Sequence, residues 1–388
     1  MTLIPFDDRD GFIWINGQMV PWREAKTHIL CHGLHYSSSV FEGERSYNSK
    51  IFKSAEHTAR LRASCNFLDF DLPMSDEEME EIKYEVLDAN GIIDGYLRPF
   101  CWRGSEMMAI SAQDTTINVG VAAWKWPSYF DPETKMKGIT LDIADWRRPS
   151  PESAPVQAKA AGLYMICTLA KHSAERKGFQ DALMLDYRGY VAEATGANIF
   201  FVMNDGKIHT PTADCFLNGI TRRTVIDLAR KIGWEVQERH IHLHELENVK
   251  EAFLTGTAAE ITPISKIGTF TFQPDLACRV ESEIWPRILF EITKRDIPNY
   301  LFNARFSKKT RERMKNNLIS SKYLLSLFDQ IHVPENQTEQ FLMGIGLNPN
   351  SVMVTGSLKD SRVGLPFDSS LVKEFNQVID KRNVWLAA

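Results

Sequence analysis

The chain has 388 residues, 44% of them apolar and 24% charged, and a formal net charge of −5. That length admits two or three domains with sizeable cores. The mild acidity excludes the electrostatic footprint of a nucleic-acid or anionic-membrane binder, and no stretch reaches the about 18 apolar residues of a membrane span. The opening Thr2-Leu-Ile-Pro-Phe-Asp-Asp-Arg9 has neither a basic nor an apolar leader region, so a soluble, cytoplasmic chain is expected. Six cysteines (31, 65, 101, 167, 215 and 278) are scattered without any Cys-x-x-Cys, which suggests reduced, buried thiols rather than a disulfide framework or a zinc knuckle.

The first element is a hairpin: two apolar runs in Gly11–Trp22 flank Asn16-Gly17, a pair suited to positive φ. Helical periodicity follows over His57–Leu68, and Ser75-x-x-Glu78 reads as a capping box opening a helix that stops near Gly91. Strand-like runs come at Tyr96–Trp102, Thr116–Trp126 and Ile139–Trp146. In Arg147–Pro155, three prolines within seven residues exclude helix and ladder, which marks a linker. Beyond it the pattern predicts a helix over Ala161–Lys177 stopped by Gly178, strands at Ala182–Asp186 and Asn198–Met203, and a turn at Asn204-Asp-Gly206. A helix over Thr221–Lys231 ending at Gly233 and strands at Glu235–Ile241 and Glu251–Thr255 complete the part. The boundaries expected are a small α+β domain (1–146), a linker (147–155), a larger mixed domain (156–278) and a tail (279–388).

Lys159 stands among Ala158, Ala160, Ala161 and Gly162, small neighbours that crowd an ammonium, lower its pKa and make it an amine nucleophile toward a carbonyl. With Glu193-Ala-Thr-Gly196 and Gly256-Thr-Ala-Ala-Glu-Ile-Thr-Pro263 downstream, it reads as a pyridoxal phosphate site. Transamination needs an amine, a carboxylate at the pyridine nitrogen, phosphate donors and a base for the substrate α-carbon. Lys159 can supply the first and the last. Glu193, after the short Arg188-Gly189 turn, can face inward as the carboxylate. Leu217-Asn-Gly-Ile-Thr-Arg222 runs into a helix N-terminus, which favours an anion. Gly256-Thr-Ala-Ala259 offers backbone amides from a nest-like turn.

Six motifs carry a resemblance in order and spacing: His35–Gly43 with Arg45, Tyr96-Leu-Arg-Pro99, Ala158-Lys-Ala160, Glu193–Gly196, Gly219-Ile-Thr-Arg222 and Gly256–Pro263. Residues 11–273 thereby resemble the branched-chain amino acid aminotransferases, fold-type IV pyridoxal phosphate enzymes. The resemblance implies Lys159 as the Schiff-base lysine, Glu193 at the pyridine nitrogen and Tyr164 near the cofactor phenolate. It places Arg60, Gly196, Ile220, Thr221, Gly256 and Thr257 around the phosphate. The α-carboxylate is expected at the amides of Thr257 and Ala258 and the Tyr96 hydroxyl. Tyr36, Phe41, Trp126 and Tyr129 match the aromatic wall for leucine, isoleucine or valine, and Arg98 should take the second carboxylate of glutamate. A homodimer or higher homo-oligomer is implied, with amino acids and 2-oxo acids as small-molecule partners. Asn218 and Leu163 depart from the proline and asparagine common in the family; the second bears on substrate preference. D-amino acid aminotransferases and aminodeoxychorismate lyases are the competing readings within the fold type. His28, His32 and His35, at helical spacing, and His240, His242 and His244, alternating along one strand face, read as structural or surface histidines.

Past Gln273 the aminotransferase pattern gives way to another. Val280–Pro286, Asn303–Ser307, Val354–Lys359 and Trp385–Ala388 resemble the 3-deoxy-D-manno-octulosonic acid (Kdo) transferases. Residues 274–388 would correspond to the latter part of that enzyme's first Rossmann-like domain, of the two-domain GT-B type, and the start of its second. The helices expected there are Ile284–Lys294, a basic Lys308–Leu327 and Glu335–Gly344, with strands at Asn299–Asn303 and Ser351–Thr355. The segment expected to hold the acceptor site and catalytic carboxylate is not matched, so no glycosyl transfer is expected from Glu281, Glu283 or other tail residues. A chimeric joining of two reading frames is the leading explanation. The amphipathic run Ile284–Lys294 could dock where the aminotransferase's final helix belongs, and a catalytically silent fusion fragment is the alternative to an enzyme.

Overall fold

A computed structural model describes residues 4–126, 137–231 and 233–272, and, further on, 300–301, 304, 306, 310–311, 314, 318–333 and 335–355. Tyr129, Cys278, Glu281, Glu283, the run Ile284–Lys294 and the final Trp385–Ala388 lie outside the described residues. The chain divides into two compact units, Met1–Glu281 and Ser282–Ala388.

The first unit is built on two sheets. Strands β1 (Phe12–Ile15) and β2 (Gln18–Pro21) form the hairpin at Asn16-Gly17, whose φ values of 48° and 90° suit a tight turn. Strands β3 (Ser39–Phe41), β4 (Glu44–Tyr47), β5 (Lys50–Ile51), β6 (Gly95–Arg103) and β7 (Ile117–Trp124) complete a sheet of order β2-β1-β7-β6-β4-β5, with β3 also on β6. Helix α1 (His32–Tyr36) is short; α2 (Ser54–Phe67) and α3 (Asp76–Ala89) pack on one face. The capping box is present: Glu78 N donates to Ser75 Oγ at 3.1 Å, and Ser75 N donates to the Glu78 carboxylate at 2.7 Å. Alternation along β6 divides its labour. Leu97 and Cys101 enter a core with Leu61, Cys65, Met79 and Val86, while Tyr96 and Arg98 point to the other face, where the site lies.

The second sheet contains β8 (Ile139–Ile143), β9 (Asp181–Leu185), β10 (Val191–Ala194), β11 (Asn198–Met203), β12 (Ile208–Pro211), β13 (Val236–Arg239), β14 (Val249–Gly256), β15 (Glu260–Ile267) and β16 (Phe270–Thr271). Its order is β10-β9-β8-β15-β14-β11-β12-β13, with β16 on β15. Parallel pairing of β12 with β13 needs a crossover, which α5 (Ile220–Lys231) supplies. The helix expected over Ala161–Lys177 is divided: a 3₁₀ turn, Ala161–Tyr164, precedes α4 (Met165–Arg176). Gly178, at φ 85°, ends it as expected. The linker has no helix or strand of its own, but Arg148 N donates to Leu185 O at 2.8 Å and ties it to β9.

Two local expectations fail. Strand β13 stops at Arg239, so His240, His242 and His244 do not share a strand face; His240 stacks on Tyr190, His242 meets the same ring at a tilt, and His242 caps a 3₁₀ helix. Strand β10 is not legible in the sequence, where Glu193 reads as a residue beside a turn. The histidines near α1 are occupied locally: His32 Nδ1 lies 2.6 Å from Ser38 Oγ, and His35 Nε2 lies 2.8 Å from Ile29 O. The five described cysteines are free and buried.

Within the second unit, β17 (Tyr300–Leu301), β18 (Gln330–Val333) and β19 (Val352–Val354) form a parallel sheet, with α6 (Leu318–Leu325) and α7 (Asn336–Gly344) as further elements. Leu325, Ile331, Val333 and Leu342 form its core. The strands at 300–301 and 352–354 and the helix at 336–344 fall within the runs expected for the tail, whereas the central strand β18 was not expected.

Candidate active site

Lys159 is fixed by its backbone before its side chain does anything. Its N–H donates to Ser64 Oγ at 3.0 Å, its carbonyl accepts from Phe41 N at 3.1 Å, and Ala160 bridges Val40. Nζ donates to the Tyr164 hydroxyl at 2.8 Å and lies 5.0 Å from the Phe41 ring centre. Removal from water, then the nearby Arg60 cation, lowers the Lys159 pKa to about 8. A useful fraction of the amine is therefore neutral near neutral pH. Burial also pushes the Tyr164 phenol upward, so its proton stays in place.

The carboxylate end is made by an irregular strand. The β9–β10 register shifts between Val191 and Glu193, a bulge that re-aims the side chain. Glu193, expected beside a turn, lies on this buried strand and is 8% exposed. Asn198 Nδ2 donates to its Oε2 at 3.0 Å, and Arg148 Nε stands 3.4 Å from its Oε1. Burial raises the Glu193 pKa to about 7, opposed by the charges of Arg148 and Lys159. A cationic ring nitrogen placed against it would hold it ionised.

The opposite end collects donors for an anion. Arg60 is gripped by the fully buried Glu42, which accepts from its Nε at 2.6 Å and its Nη2 at 2.8 Å and meets His57 Nδ1 at 2.7 Å. Burial opposes the Glu42 charge, yet the Arg60 guanidinium holds its carboxyl well below the usual range. Near it come Gly219, Ile220 and Thr221 at the start of α5, and the turn Gly256-Thr257-Ala258 after β14. Asn218, in place of a proline, accepts from Arg222 Nη1 at 3.0 Å through its side chain, so the departure is absorbed by a local bond.

One pocket of about 740 Å³ is lined by Arg60, Lys159, Tyr164, Glu193, Gly196, Ile220, Thr221, Gly256 and Thr257, all the cofactor candidates, and by Tyr96 and Ala258. Around Tyr96 are Arg98, whose Nη2 donates to the Tyr96 hydroxyl at 3.2 Å, and Trp126, with ring centres 4.8 Å apart. Phe41 lies 4.9 Å from the Tyr164 ring and 4.6 Å from the Arg98 guanidinium. Tyr36 is not brought to this pocket: it is 46% exposed, stacks on His32, and donates to Met108 O at 3.3 Å. Tyr129 lies outside the described residues.

Sequence reasoning missed Arg148, Glu42, His57 and Asn198. The last joins both ends of the pocket: it also donates to Leu217 O at 3.0 Å and accepts from Gly219 N at 3.2 Å. Arg148 was hidden in a Pro-rich linker and Asn198 in a hydrophobic strand. Glu42 had a signal, since an acid between Phe41 and Gly43 in an apolar setting needs a partner.

A phosphorylated pyridine aldehyde fits these residues. Thr255 Oγ1 and Arg148 Nε line the pocket and are buried with no hydrogen bond, and a Cβ on Gly196 would meet nothing within 4 Å. A family model described as amino-transferase class IV matches residues 39–267. A second, described as 3-deoxy-D-manno-octulosonic-acid transferase (kdotransferase), matches 264–362. The probable branched-chain-amino-acid aminotransferase of Rickettsia felis is 45% identical over 267 residues, covering 69% of this chain and 90% of that protein. The branched-chain-amino-acid aminotransferase of Pseudomonas aeruginosa is 40% identical, with 67% and 86% covered. Among solved structures, the Escherichia coli branched-chain amino acid aminotransferase matches at TM-score 0.66 and 36% identity, over 68% of this chain and 88% of that one. An aminotransferase from Brucella abortus bound to the cofactor PLP matches at TM-score 0.63 and 28% identity, over 70% and 96%.

Proposed function

This chain belongs to the class IV aminotransferases, a pyridoxal phosphate family of fold type IV, and on that premise we propose that it transfers an amino group between branched-chain L-amino acids and 2-oxoglutarate in ping-pong half-reactions. The observation that carries the reading is the convergence on one pocket of Lys159, the Glu193 carboxylate and the Arg60–α5 anion site. The bound cofactor supplies the aldehyde that accepts the amino group and the ring that draws electrons from the substrate α-carbon.

The side chains divide the remaining work. Glu193, held by Asn198 and Arg148, keeps a proton on the ring nitrogen. Arg60, braced by Glu42, and the first amides of α5 hold the phosphate. Lys159 Nζ, its pKa lowered to about 8, would be the base that takes up the substrate's α-proton when the cofactor is bound. Tyr96 and the Thr257 and Ala258 amides receive the α-carboxylate. Phe41 and Trp126 give the branched side chain a dry wall, Arg98 beside them takes the second carboxylate of glutamate, and Tyr129 is assigned to the same wall.

Assembly as a homodimer or higher homo-oligomer in the cytoplasm belongs to the same proposal. It is supported by an exposed apolar group, Ile29, Leu34, Tyr36 and Ile110, on the first unit. Tyr36, absent from its own chain's pocket, is then an aromatic presented to a neighbouring copy. The domain boundaries proposed remain 1–146, 147–155, 156–278 and 279–388. The last segment is proposed to transfer no sugar; Glu335 there is engaged by Arg311 at 3.4 Å and by Thr338 at 3.2 Å.

The test is the absorbance spectrum of the purified chain with pyridoxal phosphate, before and after L-leucine without any keto acid. Conversion to the pyridoxamine band is expected. Failure to take up cofactor would identify an impaired chimera, and a loaded but unresponsive chain would point to another amino donor, such as a D-amino acid.

A further inference from the structure

Resting on the amino-group transfer proposed above, we propose that Tyr47 and Glu260 are positioning residues that set the spacing of the substrate carboxylate site. The two halves of that site come from different sheets: the Tyr96 hydroxyl from β6, and the Thr257 and Ala258 amides from the turn between β14 and β15. A hydrogen bond joins the sheets beside them, with the Tyr47 hydroxyl donating to Glu260 Oε1 at 2.8 Å.

The register makes this a direct link. Arg45 on β4 is the cross-strand partner of Tyr96, and Tyr47, two residues on, shares its face. Arg45 itself is 7% exposed, with Nη2 3.9 Å from the same Glu260 oxygen. On the other side, Glu260 pairs with Gly256 and so closes the turn that carries Thr257 and Ala258. Its φ is 55°, a left-handed conformation that glycine adopts without steric cost. A glutamate there keeps the turn closed through its backbone and anchored through its carboxylate. Burial and the Glu260 charge push the Tyr47 phenol upward, so it remains a donor. The anchor therefore fixes how far the amides stand from Tyr96, which decides whether one carboxylate can meet both.

The full chain loaded with cofactor is compared with Tyr47→Phe and Glu260→Gln. The readouts are the Kd of 4-methylvaleric acid, an unreactive branched carboxylate, and KM against kcat for L-leucine. Hydrogen exchange of the segment 256–260 is read in the cofactor-free chain. Tyr47→Phe should weaken 4-methylvalerate about three- to tenfold and raise KM equally, with kcat within about twofold. Exchange at 256–260 should quicken while the rest of the second sheet is unchanged. Glu260→Gln, whose amide oxygen still accepts, should show a smaller shift. Unchanged Kd and exchange in Tyr47→Phe would overturn the inference, as would equal losses in kcat and cofactor affinity. A wild-type chain inert toward leucine would instead sink the function reading, and the exchange and 4-methylvalerate measurements would still decide the anchor.

Discussion

Lys83 and Lys159 are both withdrawn from water in the first unit, and their surroundings treat the charge in opposite ways. Lys83 is fully buried, and its Nζ meets Glu44 and Glu80 at 3.0 Å, Thr58 Oγ1 at 2.6 Å and both oxygens of Ser54. Lys159 is half-buried on the pocket wall, its Nζ hydrogen-bonded to the Tyr164 hydroxyl. Burial with a full set of acceptors makes a structural cation. Burial beside a phenol and a competing Arg60 makes an amine ready to lose its proton. Residue type does not separate the two; the partners do.

Removing each lysine should break the comparison in opposite ways. Lys159→Ala should reduce single-turnover conversion of L-leucine by about four orders of magnitude or more, with circular dichroism and urea unfolding little changed. Lys83→Met should do the reverse. It leaves Glu44 buried without its cation, at a cost of about 3–5 kcal/mol in urea unfolding, while the folded fraction still turns over. Glu44 already has its pKa raised to about 8, burial first and Lys83 opposing. A carboxyl raised in the folded state contributes stability that is fully present below its unfolded pKa and lost as pH climbs through about 8. The Lys83→Met deficit should therefore widen as pH rises above about 8, where Glu44 ionises against Lys83 in the wild type and has no cation in the variant, and Glu44→Gln should remove that widening.

Smaller effects sharpen the pocket side. Glu193→Gln keeps the shape and the Asn198 contact but removes the charge, and kcat should fall by about a hundredfold; stopped-flow absorbance checks it. For Lys159, the folded pKa is depressed from its ordinary value to about 8. Its neutral fraction, and with it the rate at which cofactor-free chain captures pyridoxal phosphate, should rise about tenfold per pH unit below that value and level off above it. A rate that still climbs about tenfold per pH unit up to pH 9, with no levelling near 8, would show that Lys159 keeps its ordinary pKa and is not desolvated.

Much of the chemistry was legible because it is local. Lys159 among small residues, the Leu217–Arg222 run into α5 and the Gly256–Ala259 turn each carry their meaning in a few adjacent residues, and all reach the pocket. What escaped depends on distant pairing. Glu193 read as a turn residue because β10 has no apolar alternation of its own and forms by pairing with β9 through a bulge. Arg148 looked like a linker charge until the linker was tied to β9. The histidines at 240–244 showed strand-like alternation, yet the chain leaves the sheet at Arg239.

The sequence by itself determined the crowded Lys159, the glycine-containing turns that line the same pocket, the capping box of α3 and the joining of a class IV aminotransferase segment to a kdotransferase-like one. These rest on short-range sterics, backbone amides and ordered motifs. Only the tertiary structure decided which polar and charged groups meet: Glu42 with Arg60, Asn198 between Glu193 and the Gly219 loop, and Glu260 with Tyr47 across two sheets. Tyr47 and Glu260 stand 213 positions apart, and a charge's free energy in a protein is set by the few groups within hydrogen-bond reach, which chain order does not encode.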